Sequence, residues 1–196
     1  SGSDKLFAAN VGAVYSHFVV PLTDGFAVAG AAGSKKVWLA KRDHAGGVVW
    51  EKTYDVAVSG AVRLVKTATG FGIGYGTVAG GLIATDTTGL KKWQVPLSGS
   101  TWSTLGNGAV VALTDGLVWL GSAFSNGSVQ GMRLVRTDLA GKVVVDVAIG
   151  SGEIAVNTAI KFEKELLIGG RSGSWSGFVR QVGLQGKVTW HKGYGP

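Results

Sequence analysis

Hydrophobic and polar positions alternate along this chain over short stretches bounded by glycine-containing turns, the period-two pattern of β-strands with one buried face. The clearest stretch predicts strands at Tyr15–Leu22, Phe26–Ala31, Lys36–Arg42 and Val48–Tyr54, linked by Thr23-Asp24-Gly25, Gly33-Ser34 and His44-Ala45-Gly46. Leu113-Thr114-Asp115-Gly116 repeats the wording of Leu22-Thr23-Asp24-Gly25 and is followed by a similar apolar strand, Leu117–Gly121. Two further hairpins are predicted at Lys66–Gly70 with Phe71–Gly76, and at Thr158–Phe162 with Glu165–Gly169 across a turn at Glu163-Lys164. Val, Phe, Trp and Thr dominate these segments, which suits strands and excludes arrays of helical pairs.

One phrase recurs four times: a tight turn containing Gly, then a strand residue four positions on. The copies place Gly46 before Trp50, Gly89 before Trp93, Gly141 before Val145 and Gly186 before Trp190. The copies are 43, 52 and 45 residues apart, a spacing in the range of propeller blades. The chain therefore reads as a single domain over 1–196, with repeats at approximately 10–56, 57–97, 98–150 and 151–196. Each tryptophan offers a large plate to fill the gap to a neighbouring sheet, and Val145 marks the joint expected to be least filled. The second strand of each repeat ends in glycine, at Gly30, Gly76, Gly121 and Gly169, as expected where sheets crowd toward an axis. Trp38 and Trp119, mid-strand in apolar runs, are expected to pack between sheets.

The D-x-x-G-x-x-x-W phrase, preceded by an aspartate–glycine turn and an apolar strand, resembles the Trp-docked blades of quinoprotein-like β-propellers of bacterial exported proteins. Ala84 to Trp93 comes nearest, with a turn one residue shorter. The resemblance covers almost the whole chain and implies an all-β propeller of four-stranded antiparallel blades. It is nearly silent on activity, because propellers host enzymes, lectins and scaffolds alike. Lys5–Ala9, within residues 1–9, is expected to close the ring beside Val188–Lys192. Two other arrangements stay open: two chains completing an eight-bladed ring, or this chain as half of a longer propeller.

Composition narrows the setting. Cysteine is absent, which removes disulfides and thiolate metal sites and leans the expectation toward an extracytoplasmic protein, periplasmic, secreted or at the cell surface. The single Met is Met132, and Ser1-Gly2-Ser3 reads as a tag remnant before a chain trimmed of its leader. No apolar run approaches the roughly 20 residues of a membrane span. The net charge of +7 is spread mostly over single lysines and arginines, so a solvated basic face is expected and no specific nucleic-acid partner.

Candidate chemistry is sparse. His17, His44 and His191 lie far apart in different settings, which argues against a shared metal. Gly70 to Gly76 lacks the spacing of a nucleotide-binding glycine loop, and no helix follows it. Ser172-Gly173-Ser174-Trp175-Ser176-Gly177 has Trp where a nucleophile elbow needs Ser. A quinone cofactor would need clustered oxygen donors around a cation, and none is apparent, so no catalytic residue, metal or cofactor is assigned. The best binding candidates are Arg171 and Trp175 in one hairpin and Trp102 between hydroxyl residues, an aromatic–cation combination that stacks on sugars and pairs with acidic groups. The expected function is non-enzymatic recognition or scaffolding of a protein or glycan partner through rim loops. The alternative is a lectin with interblade sugar sites; a quinone-dependent or hydrolytic enzyme fragment ranks behind both.

Overall fold

The computed structural model describes residues 14–33, 35–58, 62–76, 80–97, 108–125, 128–150, 154–173 and 176–195. These form four antiparallel four-stranded sheets, and no helix occurs among them. The first sheet comprises β1 (Val14–Leu22), β2 (Gly25–Ala32), β3 (Lys36–Arg42) and β4 (Val48–Asp55). The second comprises β5 (Val62–Thr67), β6 (Gly70–Tyr75), β7 (Gly81–Asp86) and β8 (Lys91–Pro96). The third comprises β9 (Gly108–Leu113), β10 (Gly116–Ser125), β11 (Ser128–Asp138) and β12 (Val143–Ile149). The fourth comprises β13 (Ile154–Phe162), β14 (Glu165–Ser172), β15 (Ser176–Gly183) and β16 (Val188–Tyr194). Every sheet is a meander in chain order, the arrangement of a propeller blade. First strands lie side by side, β1 against β5, β5 against β9 and β9 against β13. Among the described residues no comparable packing brings β13 back to β1.

Register exposes the repeat more sharply than sequence spacing does. Val20, Ala27, Lys41 and Trp50 form one cross-strand row in the first blade. Val65, Gly72, Ala84 and Trp93 form the same row in the second, and Val111, Val118, Arg136 and Val145 in the third. Ile160, Leu167, Gln181 and Trp190 complete the series. Because side chains alternate between faces of a strand, each row points wholly toward one side, that of the following blade.

The three apolar clusters of the core are these joints. Ala27, Ala29, Val37 and Leu39 of the first blade meet Leu64, Phe71, Ile73 and Ile83 of the second. Val65, Leu82 and Trp93 meet Val110, Trp119 and Val135. Val118, Leu120 and Leu134 meet Val156, Leu166 and Ile168. Trp38 and Trp119 are buried, as expected of mid-strand aromatics in apolar runs.

Several expectations are corrected. Trp190 is exposed rather than packed against a blade, because no described blade follows the fourth. The joint after Val145 is well filled: Val145 is buried, and Val147 and Ile149 pack in the same cluster. The first strand of the second blade is Val62–Thr67, not Lys66–Gly70, since Ala68 and Thr69 make the turn. In the second strand of the second blade, Gly72 and Gly74 answer to facing side chains, and Gly121 makes room for the Trp119 ring of its own strand. A Cβ at Gly74 would sit 2.8 Å from the Trp119 ring, and at Gly72 only 2.6 Å from Leu117, both on the next blade. The expected closing strand, Lys5–Ala9, lies outside the described residues.

Candidate functional site

In the second and third copies the repeated turn is built by its aspartate. Asp86 Oδ1 accepts hydrogen bonds from the Thr88 amide (2.8 Å), the Thr88 hydroxyl (2.7 Å) and the Leu90 amide (2.9 Å). Asp138 Oδ1 accepts from the amides of Ala140 and Lys142, both at 2.9 Å. A carboxylate that fixes backbone donors two and four residues ahead holds the chain in a turn that glycine completes at positive φ, 78° at Gly89 and 87° at Gly141. The Thr88 hydroxyl leads the interactions that hold the Asp86 carboxyl below its ordinary value.

Each turn then receives the preceding blade. A Cβ at Gly89 would lie 2.8 Å from the Trp50 ring, and at Gly141 2.7 Å from the Trp93 ring. The Trp93 indole N–H donates to the Leu139 carbonyl at 2.9 Å. Tyr54, buried beside Trp50, donates its hydroxyl to the Gly89 carbonyl at 2.7 Å. Burial, with Asp86 nearby, raises the Tyr54 pKa well above its ordinary value. Closer to the first strands, Arg63 donates to the Gly108 carbonyl at 2.8 Å and lies over the Phe18 ring at 5.5 Å, so one side chain ties three blades. Burial lowers the Arg63 pKa.

Where these turns and the β1–β2-type turns meet, the joints open into clefts on one rim. The cleft between the second and third blades has a volume of about 280 Å³; Thr69, Lys92, Trp93, Leu113, Thr114 and Leu139 are among its lining residues. The Lys92 ammonium is held there by the Thr69 hydroxyl at 3.1 Å. The corresponding cleft between the first and second blades, about 220 Å³, is lined by Thr23, Asp24, Lys41, Lys66, Phe71 and Thr87 among others. Lys41 donates to Asp24 at 2.6 Å, and that bond leads the interactions holding the Asp24 carboxyl below its ordinary value. The clefts occupy equivalent places but present different polar groups, an ion pair in one and a lysine with threonine hydroxyls in the other.

The residues singled out from sequence fall elsewhere. Arg171 is exposed near the end of β14, at the opposite end of its blade from the β13–β14 turn and hence on the other rim. Trp102 and Trp175 lie outside the described residues. His44 Nε2 is 3.3 Å from the Thr23 carbonyl, and the His191 ring lies against Phe178 at 6.4 Å. Among the described residues no group of three or more His, Asp or Glu is placed to hold a metal ion. Sequence reasoning missed Thr69, Lys92, Thr114 and Leu139, because nothing in their spacing says that three separate turns converge. The aspartate–glycine turn at Asp115 and the doublet Lys91-Lys92 were the only traces.

No known protein family matches the chain, and no curated protein matches it in sequence. Solved structures do match. A protein of unknown function from Bacteroides caccae aligns over 87% of this chain and 58% of its own, at 15% identity and a TM-score of 0.53. The Dos1 propeller aligns over 87% of this chain and 46% of its own, at 13% identity and a TM-score of 0.52. The quinohemoprotein alcohol dehydrogenase of Comamonas testosteroni aligns over 87% of this chain and 34% of its own, at 17% identity and a TM-score of 0.49. The first two likenesses establish the fold: the four sheets are blades of a β-propeller. At these identities fold is all they establish, and the chain spans about half the length of the Bacteroides protein and the Dos1 propeller.

Proposed function

We propose that this chain is a non-enzymatic recognition domain of an exported protein, binding a partner through the rim that carries the interblade clefts. The observation that carries the reading is the cleft between the second and third blades, which combines an ammonium group, threonine hydroxyls and an apolar wall of Trp93, Leu113 and Leu139. Few convergent polar groups on an apolar surface make a binding site, and this one admits a single small group: a side chain of a protein partner or one sugar ring. Lys92 favours an acidic group there. Tyr54 and Arg63, whose protonation burial displaces, are committed to joints and not aimed into the cleft. The absence of cysteine supports the exported setting.

A lectin is the second reading, favoured by the position of both clefts between blades. Repeated sugar sites would repeat their polar groups, and these two clefts do not, so recognition of a protein segment leads.

Peptide and glycan arrays probed at low and high salt test the proposal, with Lys92→Ala as control. The expected result is salt-resistant binding to one class of ligand, lost in Lys92→Ala while the melting temperature is kept. Silence on both arrays, or binding that Lys92→Ala leaves intact, overturns it.

A further inference from the structure

At each joint the turn of the following blade lies on the plate of the blade before it: Gly89 on Trp50, Gly141 on Trp93 and Gly186 on Val147. The series stops at the fourth blade. Trp190 closes the same cross-strand row as Trp50 and Trp93, yet it is 46% exposed. Ile160 of that row is exposed too, as are Phe162 and Tyr194 on the same face. This is a blade surface of the kind packed at the other joints, with no cover among the described residues.

The other end of the chain carries the matching part. Asp43 to Gly47 forms the same turn as the docked copies, with Gly46 donating to the Asp43 carbonyl and Asp43 to the Gly47 carbonyl, both at 3.0 Å. Gly46 has φ of 83°, between the values at Gly89 and Gly141. Asp43, His44 and Ala45 are exposed. The chain thus carries an uncovered tryptophan plate at one end and a preformed turn for such a plate at the other.

We propose that a second copy of this chain covers the fourth blade, each copy setting Trp190 on the Asp43–Gly46 turn of the other. The Trp190 indole N–H then donates to the His44 carbonyl of the second copy, as Trp93 does to Leu139 within the chain. The contact is head-to-tail, and such a contact is satisfied throughout only when it closes into a ring. Two copies supply eight blades. Closure within one chain would bury Trp190 and pack β13 on β1, and among the described residues neither occurs. Among the described residues the fourth sheet has four strands, as the other three do.

Light scattering on the eluted 196-residue chain tests this, with Trp190→Ala and Ala45→Arg as variants at opposite ends of the joint. Both residues are exposed, so neither change disturbs the blades themselves. The expected mass is twice 20.1 kDa for the unmodified chain and 20.1 kDa for each variant alone. A mixed dimer of the two variants keeps one intact joint, the turn of Trp190→Ala taking the tryptophan of Ala45→Arg, while its other joint carries both changes, so pairing weaker than that of the unmodified chain is expected. A single-chain mass for the unmodified protein, or a dimer indifferent to both substitutions, overturns the proposal. A monomer would mean that the fourth blade awaits some other blade.

Discussion

Trp93→Ala separates tryptophan as joint from tryptophan as surface. Trp93 is half-buried, stands over Gly141 and donates to the Leu139 carbonyl at 2.9 Å. Truncating a fully buried aromatic costs about 3–5 kcal/mol. Partial exposure places Trp93 at the lower end, so about 3 kcal/mol is expected, including about 1 kcal/mol for the lost hydrogen bond. In a chain of this size that corresponds to a fall in melting temperature of roughly 6–12 °C. Trp93→Phe keeps most of the plate and loses the N–H, so about 1 kcal/mol is expected. Trp190→Ala occupies the same repeat position without a described turn upon it, and measured dilute enough that chains do not pair it should cost well under about 1 kcal/mol. The assay is denaturant unfolding followed by circular dichroism on all three variants. Equal losses for Trp93→Ala and Trp190→Ala would refute the reasoning, since repeat position and not docking would then set the cost.

Tyr54→Phe leaves the Gly89 carbonyl without its buried donor and should destabilise the protein by about 1–3 kcal/mol in thermal melts at neutral pH. The same tyrosine gives a pH signature. Its folded pKa lies above its unfolded value near 10, so its contribution is complete below about pH 10 and is lost as pH rises further toward the folded value. Alkaline titration of stability should therefore steepen above about pH 10 in the wild type and less so in Tyr54→Phe; identical profiles would contradict this. Arg63→Ala removes the bond to the Gly108 carbonyl and the contact with Phe18, and should cost about 1.5–3 kcal/mol by denaturant titration.

Much of the architecture was legible in the sequence. Strand β3 ends where alternation and turn chemistry place it, and β1, β2 and β4 come within a residue or so, because Asp24-Gly25 and His44-Ala45-Gly46 mark the turns plainly. The first strand of the second blade was misplaced because Ala68 and Thr69 turn the chain without Pro, Asn or Asp, and Gly70 was read as a strand end when it begins the next strand. Glycine and tryptophan of the repeated phrase were both visible, but their partnership was not. Trp50 and Trp93 dock on the glycine of the next copy rather than their own, a relation carried by the packing of sheets and absent from local spacing. The clefts were hidden for the same reason. Thr69, Thr114 and Leu139 belong to three turns, and Lys92 to strand β8, and they meet only when two blades pack together.

A double-mutant cycle between Trp50 and Gly89 tests the docking rule on which the joints, the clefts and the uncovered fourth blade all rest. Gly89→Ala strains a positive φ and sets a methyl group where the Trp50 ring lies 2.8 Å away; removing the ring relieves the crowding but not the strain. The account predicts a coupling of about 1 kcal/mol between Trp50→Ala and Gly89→Ala in denaturant unfolding, the pair costing less than the separate losses added. Strict additivity would contradict it, because the two residues would then not be touching across the joint.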